Sequence, residues 1–183
     1  MDGTALFEEI GQGALRNVYL LHGEEEYAKD RAVDALLEST EESLRDFNTA
    51  VLENPPVDEI IAACEQLPLM DERRMVFVRQ SRLFAGEGEG EGKKLLAYLP
   101  RINPSSCLVF VERGICDGRK SLFKALQKMG AEVRFDFYGE EEAAKWACSF
   151  ARRQGGKLGA DQARRLVMMT GRKLMDVAAE TSK

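Results

Sequence analysis

The stretch NVYLLHGEEEYAKDRAVDALL, Asn17 to Leu37, decides how the chain is read. Val18 to Leu21 are continuously apolar, Gly23 follows, and Lys29 lies six residues further on inside a helix-forming run. Strand, glycine turn and helix with an early lysine is the layout of the phosphate-gripping loop G-x-x-x-x-G-K-[ST]. A working loop needs small residues so that backbone N–H groups converge on the anion, a lysine for the β/γ-phosphates and a hydroxyl for Mg²⁺. Here Ala28 replaces the second glycine and Asp30 the hydroxyl. Glu24, Glu25 and Glu26 crowd the place of a triphosphate that carries about four negative charges. The stretch therefore predicts the shell of a nucleotide site: Gly23 and Lys29 remain, and they are not expected to bind phosphate. The three acids read as first-turn complements to a helix dipole.

Outward from this unit, strand and helix signals alternate. Glu24 to Leu37 carries Tyr27, Ala28, Ala32, Val33, Leu36 and Leu37 on one helical stripe. Phe47 and Ala50 to Leu52 suggest a second strand, and after Pro55 and Pro56 a helix places Val57, Ile60, Ile61 and Cys64 on one face, with Pro68 ending it. RMVFV (Arg74 to Val78) and CLVFVE (Cys107 to Glu112) are apolar on both faces, as strands in a covered parallel sheet are. The helix GKKLLAYLP lies between them, preceded by Ala85 to Gly92, whose alternating Gly and Glu predict a mobile loop without fold energy. Asp117 is a candidate N-cap for a helix bearing Leu122, Phe123, Leu126 and Met129, stopped by Gly130 and followed by the strand AEVRFDF. The alternation predicts an α/β domain with a mainly parallel sheet over residues 1–138. From Gly139 strand signals vanish, and three helical runs separated by glycines predict a small all-helical domain over 139–183, with Trp146 and Phe150 in its core. The last run stops in mid-pattern, so the chain looks truncated.

Charge and composition narrow the chemistry. A net charge of −5 provides no global basic field for nucleic acid, so any DNA contact is local or belongs to a partner. The stripe Arg119, Lys120, Lys124 and Lys128 reads as a solvated helix face. Four scattered cysteines without CxxC spacing, no basic leader and no long apolar run predict a cytoplasmic chain with reduced thiols and no membrane span. His22 is the only histidine and has no nucleophile pattern beside it, so neither a catalytic triad nor a metal site is expected; it reads as a strand-end residue. The strand that would hold magnesium ends in Glu112 and Arg113 rather than a carboxylate pair. No catalytic residue and no cofactor are expected. The competing reading is a P-loop-derived NTPase or nucleotide-sensing domain that keeps weak phosphate binding through Gly23 and Lys29.

The ordered set VYLLHGEEEYAKDRAVDALL, FNTAVLE, IIAACEQLPLMDERRMVFVR, GRKSLFKALQKMG, EVRFDF and LMDVAAET resembles the delta subunit family of the bacterial DNA polymerase III clamp loader, from about Asn17 to Glu180. The resemblance implies an AAA+-like α/β module, a lid-like helical domain and a C-terminal collar domain that this chain lacks. It also implies a lost ATP site and a mechanical role, the opening of the β sliding clamp, with no intrinsic catalysis although the parent assembly is a nucleotidyltransferase holoenzyme. Implied partners are the β clamp and, mainly through the missing domain, the gamma/tau and delta prime subunits, with DNA met only in the assembled complex.

In that family a short hydrophobic wedge grips the clamp. The matching segment is EQLPLMDERR, with Leu69 and Met70 at the wedge positions and Leu67 close behind. The residues agree with the placement: Pro68 breaks the helix, and the charged run Asp71 to Arg74 is expected to bring the chain back to water, leaving Leu69 and Met70 on a corner. Two departures stand out. Some members carry an aromatic where this chain has Met70, and a glutamine where it has Glu65. Methionine is flexible and polarizable and still fills an apolar pocket.

Overall fold

The apolar runs of the sequence become the strands of one parallel sheet. A computed structural model describes residues 1, 3–84 and 89–182. Its strands are β1 (Val18–His22), β2 (Thr49–Glu53), β3 (Arg74–Arg79), β4 (Ser106–Val111) and β5 (Glu132–Arg134), ordered β2-β3-β4-β1-β5. β1 pairs in register with β4 (Val18 with Leu108) and with β5 (Leu20 with Glu132). β2 pairs with β3 from Thr49 and Met75, and β3 with β4 from Arg74 and Ser106. Every residue of β1 and β4 is buried, the signature of central strands covered on both faces. Alternation then sends Val18 and Leu20 to one face and Tyr19 and Leu21 to the other.

Connecting helices are α1 (Gly3–Gly11), α2 (Glu26–Glu38), α3 (Arg45–Asn48), α4 (Val57–Glu65), α5 (Glu89–Tyr98) and α6 (Ser121–Lys128). Against Val18, Leu20, Val76, Val78, Leu108 and Phe110, one face of the sheet packs Val57 and Ile60 of α4, Leu95 and Tyr98 of α5, and Leu122, Phe123 and Leu126 of α6. The chain divides into two units. The first, Met1–Gly23 with Lys29–Phe135, contains the sheet. The second, Glu24–Ala28 with Asp136–Lys183, contains α7 (Glu140–Arg153), α8 (Ala160–Thr170) and α9 (Leu174–Thr181).

Several local expectations change. Phe47 lies in α3, before the strand rather than in it. Asp117 does not cap α6; its carboxylate instead accepts from the backbone N–H and the guanidinium of Arg119, and Lys120 occupies the cap position. Of the Gly/Glu run, 85–88 lie outside the described residues, while Glu89 to Gly92 form the first turn of α5. There the Glu91 carboxylate accepts from Val57 N–H at 3.0 Å, supplying α4 with a cap that Pro56 cannot provide. In the second unit the most deeply buried hydrophobic side chains are small or aliphatic: Ala143, Ala147, Ala163, Val167, Leu174 and Val177. Trp146 and Phe150 stack at 4.9 Å but stay half-buried, with Tyr27 edge-on to Trp146 at 5.6 Å. The aromatics flank this core of small residues rather than filling it.

Candidate functional site

The loop after β1, where the sequence suggests the shell of a phosphate site, is closed by the protein's own groups. Gly23 has φ +121°, and a Cβ there would lie 2.1 Å from the Phe135 carbonyl oxygen, so only glycine fits between these two chain segments. Its N–H donates to the Gly114 carbonyl at 2.7 Å. Lys29 is buried, and its Nζ donates to the carbonyls of Gly23 at 3.0 Å and Glu112 at 2.6 Å. The ammonium thus ties the end of β1 to the end of β4. Glu112, at the end of the strand that would face magnesium, accepts at Oε1 from both the N–H (2.9 Å) and the hydroxyl (2.6 Å) of Ser81. Burial pushes its pKa up to about 7.

Glu25 corrects the reading of the three acids as a surface feature. Glu24 and Glu26 are exposed, but Glu25 is buried. One carboxylate oxygen accepts from Tyr27 N–H and the other from Leu174 N–H, each at 3.2 Å. A carboxylate therefore sits on the N-termini of α2 and α9, where helix N–H groups and dipoles favour an anion. Burial raises its pKa, against these hydrogen bonds.

The corner after α4 has the opposite character. α4 ends at Glu65, whose carboxylate accepts from Tyr98 Oη at 2.6 Å, and Gln66 turns extended. Beyond Pro68 the backbone reverses through Met70, a non-glycine residue at φ +51°. Leu67 is 74% exposed, Leu69 49% and Met70 87%. Their backbone is pinned from outside the segment. The buried Asn48 side chain donates from Nδ2 to Leu69 O (2.9 Å) and accepts at Oδ1 from Leu69 N–H (2.7 Å), filling both hydrogen-bonding groups as a neighbouring strand would. The run Asp71 to Arg74 does not return to water as expected. Only Glu72 is exposed; Arg74 is half-buried and donates to Ala63 O (3.2 Å) and Phe47 O (2.6 Å). Among the described residues, Arg73 Nη1 is buried with no hydrogen-bond partner.

Nothing in the sequence near Leu69 signals Asn48, which stands 21 positions away; a polar residue directly ahead of a strand is the one trace it leaves. His22 is buried at the end of β1, its Nε2 2.9 Å from Glu132 Oε1 and its Nδ1 accepting from Cys116 N–H, which places the proton on Nε2. Arg119, just ahead of α6, and Lys124 and Lys128 on it are exposed. Among the described residues no helix is long and apolar enough to cross a membrane.

Residues 19–136 match the family described as DNA polymerase III, delta subunit. Over 97% of its length the chain is 27% identical to the DNA polymerase III subunit delta of Bacillus subtilis, covering 54% of that protein. Its structure is similar to that of the Bacillus subtilis DNA clamp loader delta protein, with a TM-score of 0.81 and 25% identity over 98% of this chain and 56% of that one. More distant likenesses, which bear on the fold alone, are the Holliday junction branch migration motor RuvB of Thermotoga maritima (TM-score 0.56, 15% identity, 98% of this chain and 57% of that one) and domain III of its replication initiation protein DnaA (0.55, 11%, 99% and 80%). The architecture is thus AAA+-like, and the chain spans about half the length of the delta relatives it matches.

Proposed function

Because the chain belongs to the delta-subunit family of DNA polymerase III, we propose that it serves a replicative clamp loader by binding and opening the β sliding clamp, using Leu67, Leu69 and Met70 as the wedge and performing no ATP chemistry of its own. The observation that carries this reading is the exposure of three large apolar side chains on a corner whose backbone is held from outside. Apolar groups fixed and left in water are the parts of an interface, and their energy is released when a partner covers them. The filled phosphate loop supports the second half of the proposal. With Lys29 spent on two carbonyls and Glu112 on Ser81, a nucleotide has neither a free ammonium nor a free metal ligand to meet. In this reading 1–138 carries the clamp-binding element and 139–183 is the lid-like domain, the chain works in the cytoplasm, gamma/tau and delta prime are its neighbours in the loader, and DNA is met only in the assembled complex.

The test is titration against a bacterial β clamp. Each buried wedge side chain contributes roughly 1.5–3 kcal/mol, so Leu69→Ala/Met70→Ala weakens binding on the order of a hundredfold or more. Wild-type affinity in the double variant overturns the wedge. Saturable micromolar binding of labelled ATP with Mg²⁺, abolished by Lys29→Ala, overturns the claim that the nucleotide site is lost.

A further inference from the structure

Phe47, in the helical turn two residues ahead of β2, is a large aromatic left 60% exposed. Its position is fixed relative to the corner by two separate ties. Asn48, the next residue, bonds both backbone groups of Leu69, and the Phe47 carbonyl accepts from Arg74, at the start of β3. β2 and β3 are adjacent and parallel, so Phe47 and the corner lie at the same end of the sheet, on chain segments about one strand spacing apart. Arg74 also reaches Ala63 O in the last turn of α4, which brings the helix that delivers the corner into the same framework.

We propose that segments 45–48 and 67–70 form one composite clamp-facing surface, in which Phe47 is an additional apolar anchor and Asn48 is a positioning residue that fixes the Leu69 backbone before the partner arrives. This inference rests on the clamp-binding reading given above. The occupant is the sliding clamp because the surface is continuous with the wedge: a partner that covers Leu69 and Met70 meets Phe47 on the adjoining segment. Aromatic side chains are favoured anchors at interfaces, since they bring large area at little entropic cost. Asn48 contributes without touching the partner. A loop already ordered in the free protein loses less entropy on binding, and a buried amide bonded to both N–H and C=O of one residue orders it directly.

The experiment measures clamp affinity, urea midpoint and Leu69 amide hydrogen exchange for Phe47→Ala and Asn48→Asp. Phe47→Ala is expected to weaken clamp binding about tenfold, with the midpoint and Leu69 exchange unchanged. Asn48→Asp retains the acceptor for Leu69 N–H but sets a carboxylate against Leu69 O. It is expected to speed Leu69 exchange in the free protein and to weaken binding per folded molecule by about the same factor. Combined with Leu69→Ala, Phe47→Ala should cost less than it does alone, because the two anchors share one interface. Wild-type affinity in Phe47→Ala removes it from the surface. Faster Leu69 exchange with unchanged affinity in Asn48→Asp removes the positioning role. Should Leu69→Ala/Met70→Ala also bind like wild type, it is the clamp reading itself that fails; if that variant loses binding while Phe47→Ala does not, only the composite surface fails.

Discussion

The two segments that carry the most information, 23–29 and 67–70, treat their side chains in opposite ways. In the first, polar groups are buried and consumed: Lys29 by two carbonyls and Glu25 by two helix N–H groups, while Gly23 is fixed by its fit against Phe135. In the second, the backbone polar groups of Leu69 are consumed while the apolar side chains stay in water. Burying polar groups with all partners supplied makes a region indispensable to folding and closed to ligands. Exposing apolar groups on a braced backbone makes a region nearly dispensable to folding and open to a partner. Perturbing each region should therefore move different observables by different amounts.

The largest effect is expected at Gly23. Any β-carbon meets the Phe135 carbonyl oxygen at 2.1 Å, and the backbone lies at a φ that L-residues avoid. Gly23→Ala should cost on the order of 5 kcal/mol, enough to leave much of a domain of ordinary stability unfolded, as read by urea midpoint and far-UV circular dichroism. Lys29→Ala follows. It strips a donor from the Gly23 and Glu112 carbonyls and opens a cavity where the stem lay, for about 3–4 kcal/mol. If Lys29 were kept for an absent phosphate rather than for the fold, its loss would leave the midpoint nearly unchanged, and the contrast between the two segments would break.

Glu112 allows the same region to be probed by pH. Its pKa rises from an ordinary carboxylate value of 4.5 to about 7 because burial disfavours the charge, against the Ser81 hydrogen bonds and nearby Lys29. Between those two pH values the folded state keeps a proton that the unfolded chain has released. Stability therefore falls as pH rises from about 4.5 to about 7 and is level above, a loss on the order of 3 kcal/mol. Glu112→Gln keeps an acceptor for Ser81 and removes the titration. The wild-type minus Glu112→Gln difference in urea midpoint, followed from pH 5 to pH 8, should show that fall; a flat difference would mean the carboxylate is solvated.

Much of the fold was legible because its signals are local. VYLL, RMVFV and CLVFV are runs that a two-sided parallel sheet must bury, and they became β1, β3 and β4. The exposure of the corner was legible too, since Pro68 stops a helix just past its buried stripe. What escaped depends on partners distant in sequence. Glu25 looked like one surface acid among three until Leu174 arrived from 149 positions away. Arg74 looked solvated until the carbonyls of Ala63 and Phe47 drew it in, and Asn48 has no local reason to be buried. Phe47 belongs by its apolar character with Ala50 to Leu52, which suggests strand, whereas the backbone makes a helical turn there.

The smallest expected effect sharpens the comparison most. Leu69→Ala/Met70→Ala removes two large side chains, and in a core such a change costs several kcal/mol through cavity formation. At this corner little is lost. Met70 is 87% exposed and Leu69 about half exposed, and the ties that order the loop run through the Leu69 backbone, which alanine retains. The double variant should therefore lower stability by about 1 kcal/mol or less, seen as a small shift in urea midpoint with no change in its slope. Met70 at φ +51° puts a further bound on the result: alanine tolerates that conformation no better than methionine, so the strain cancels between the two proteins and does not inflate the difference. A midpoint fall worth several kcal/mol would mean that Leu69 seals the end of α4 as core, and the corner would then be part of the folding machinery rather than a surface held ready for another protein.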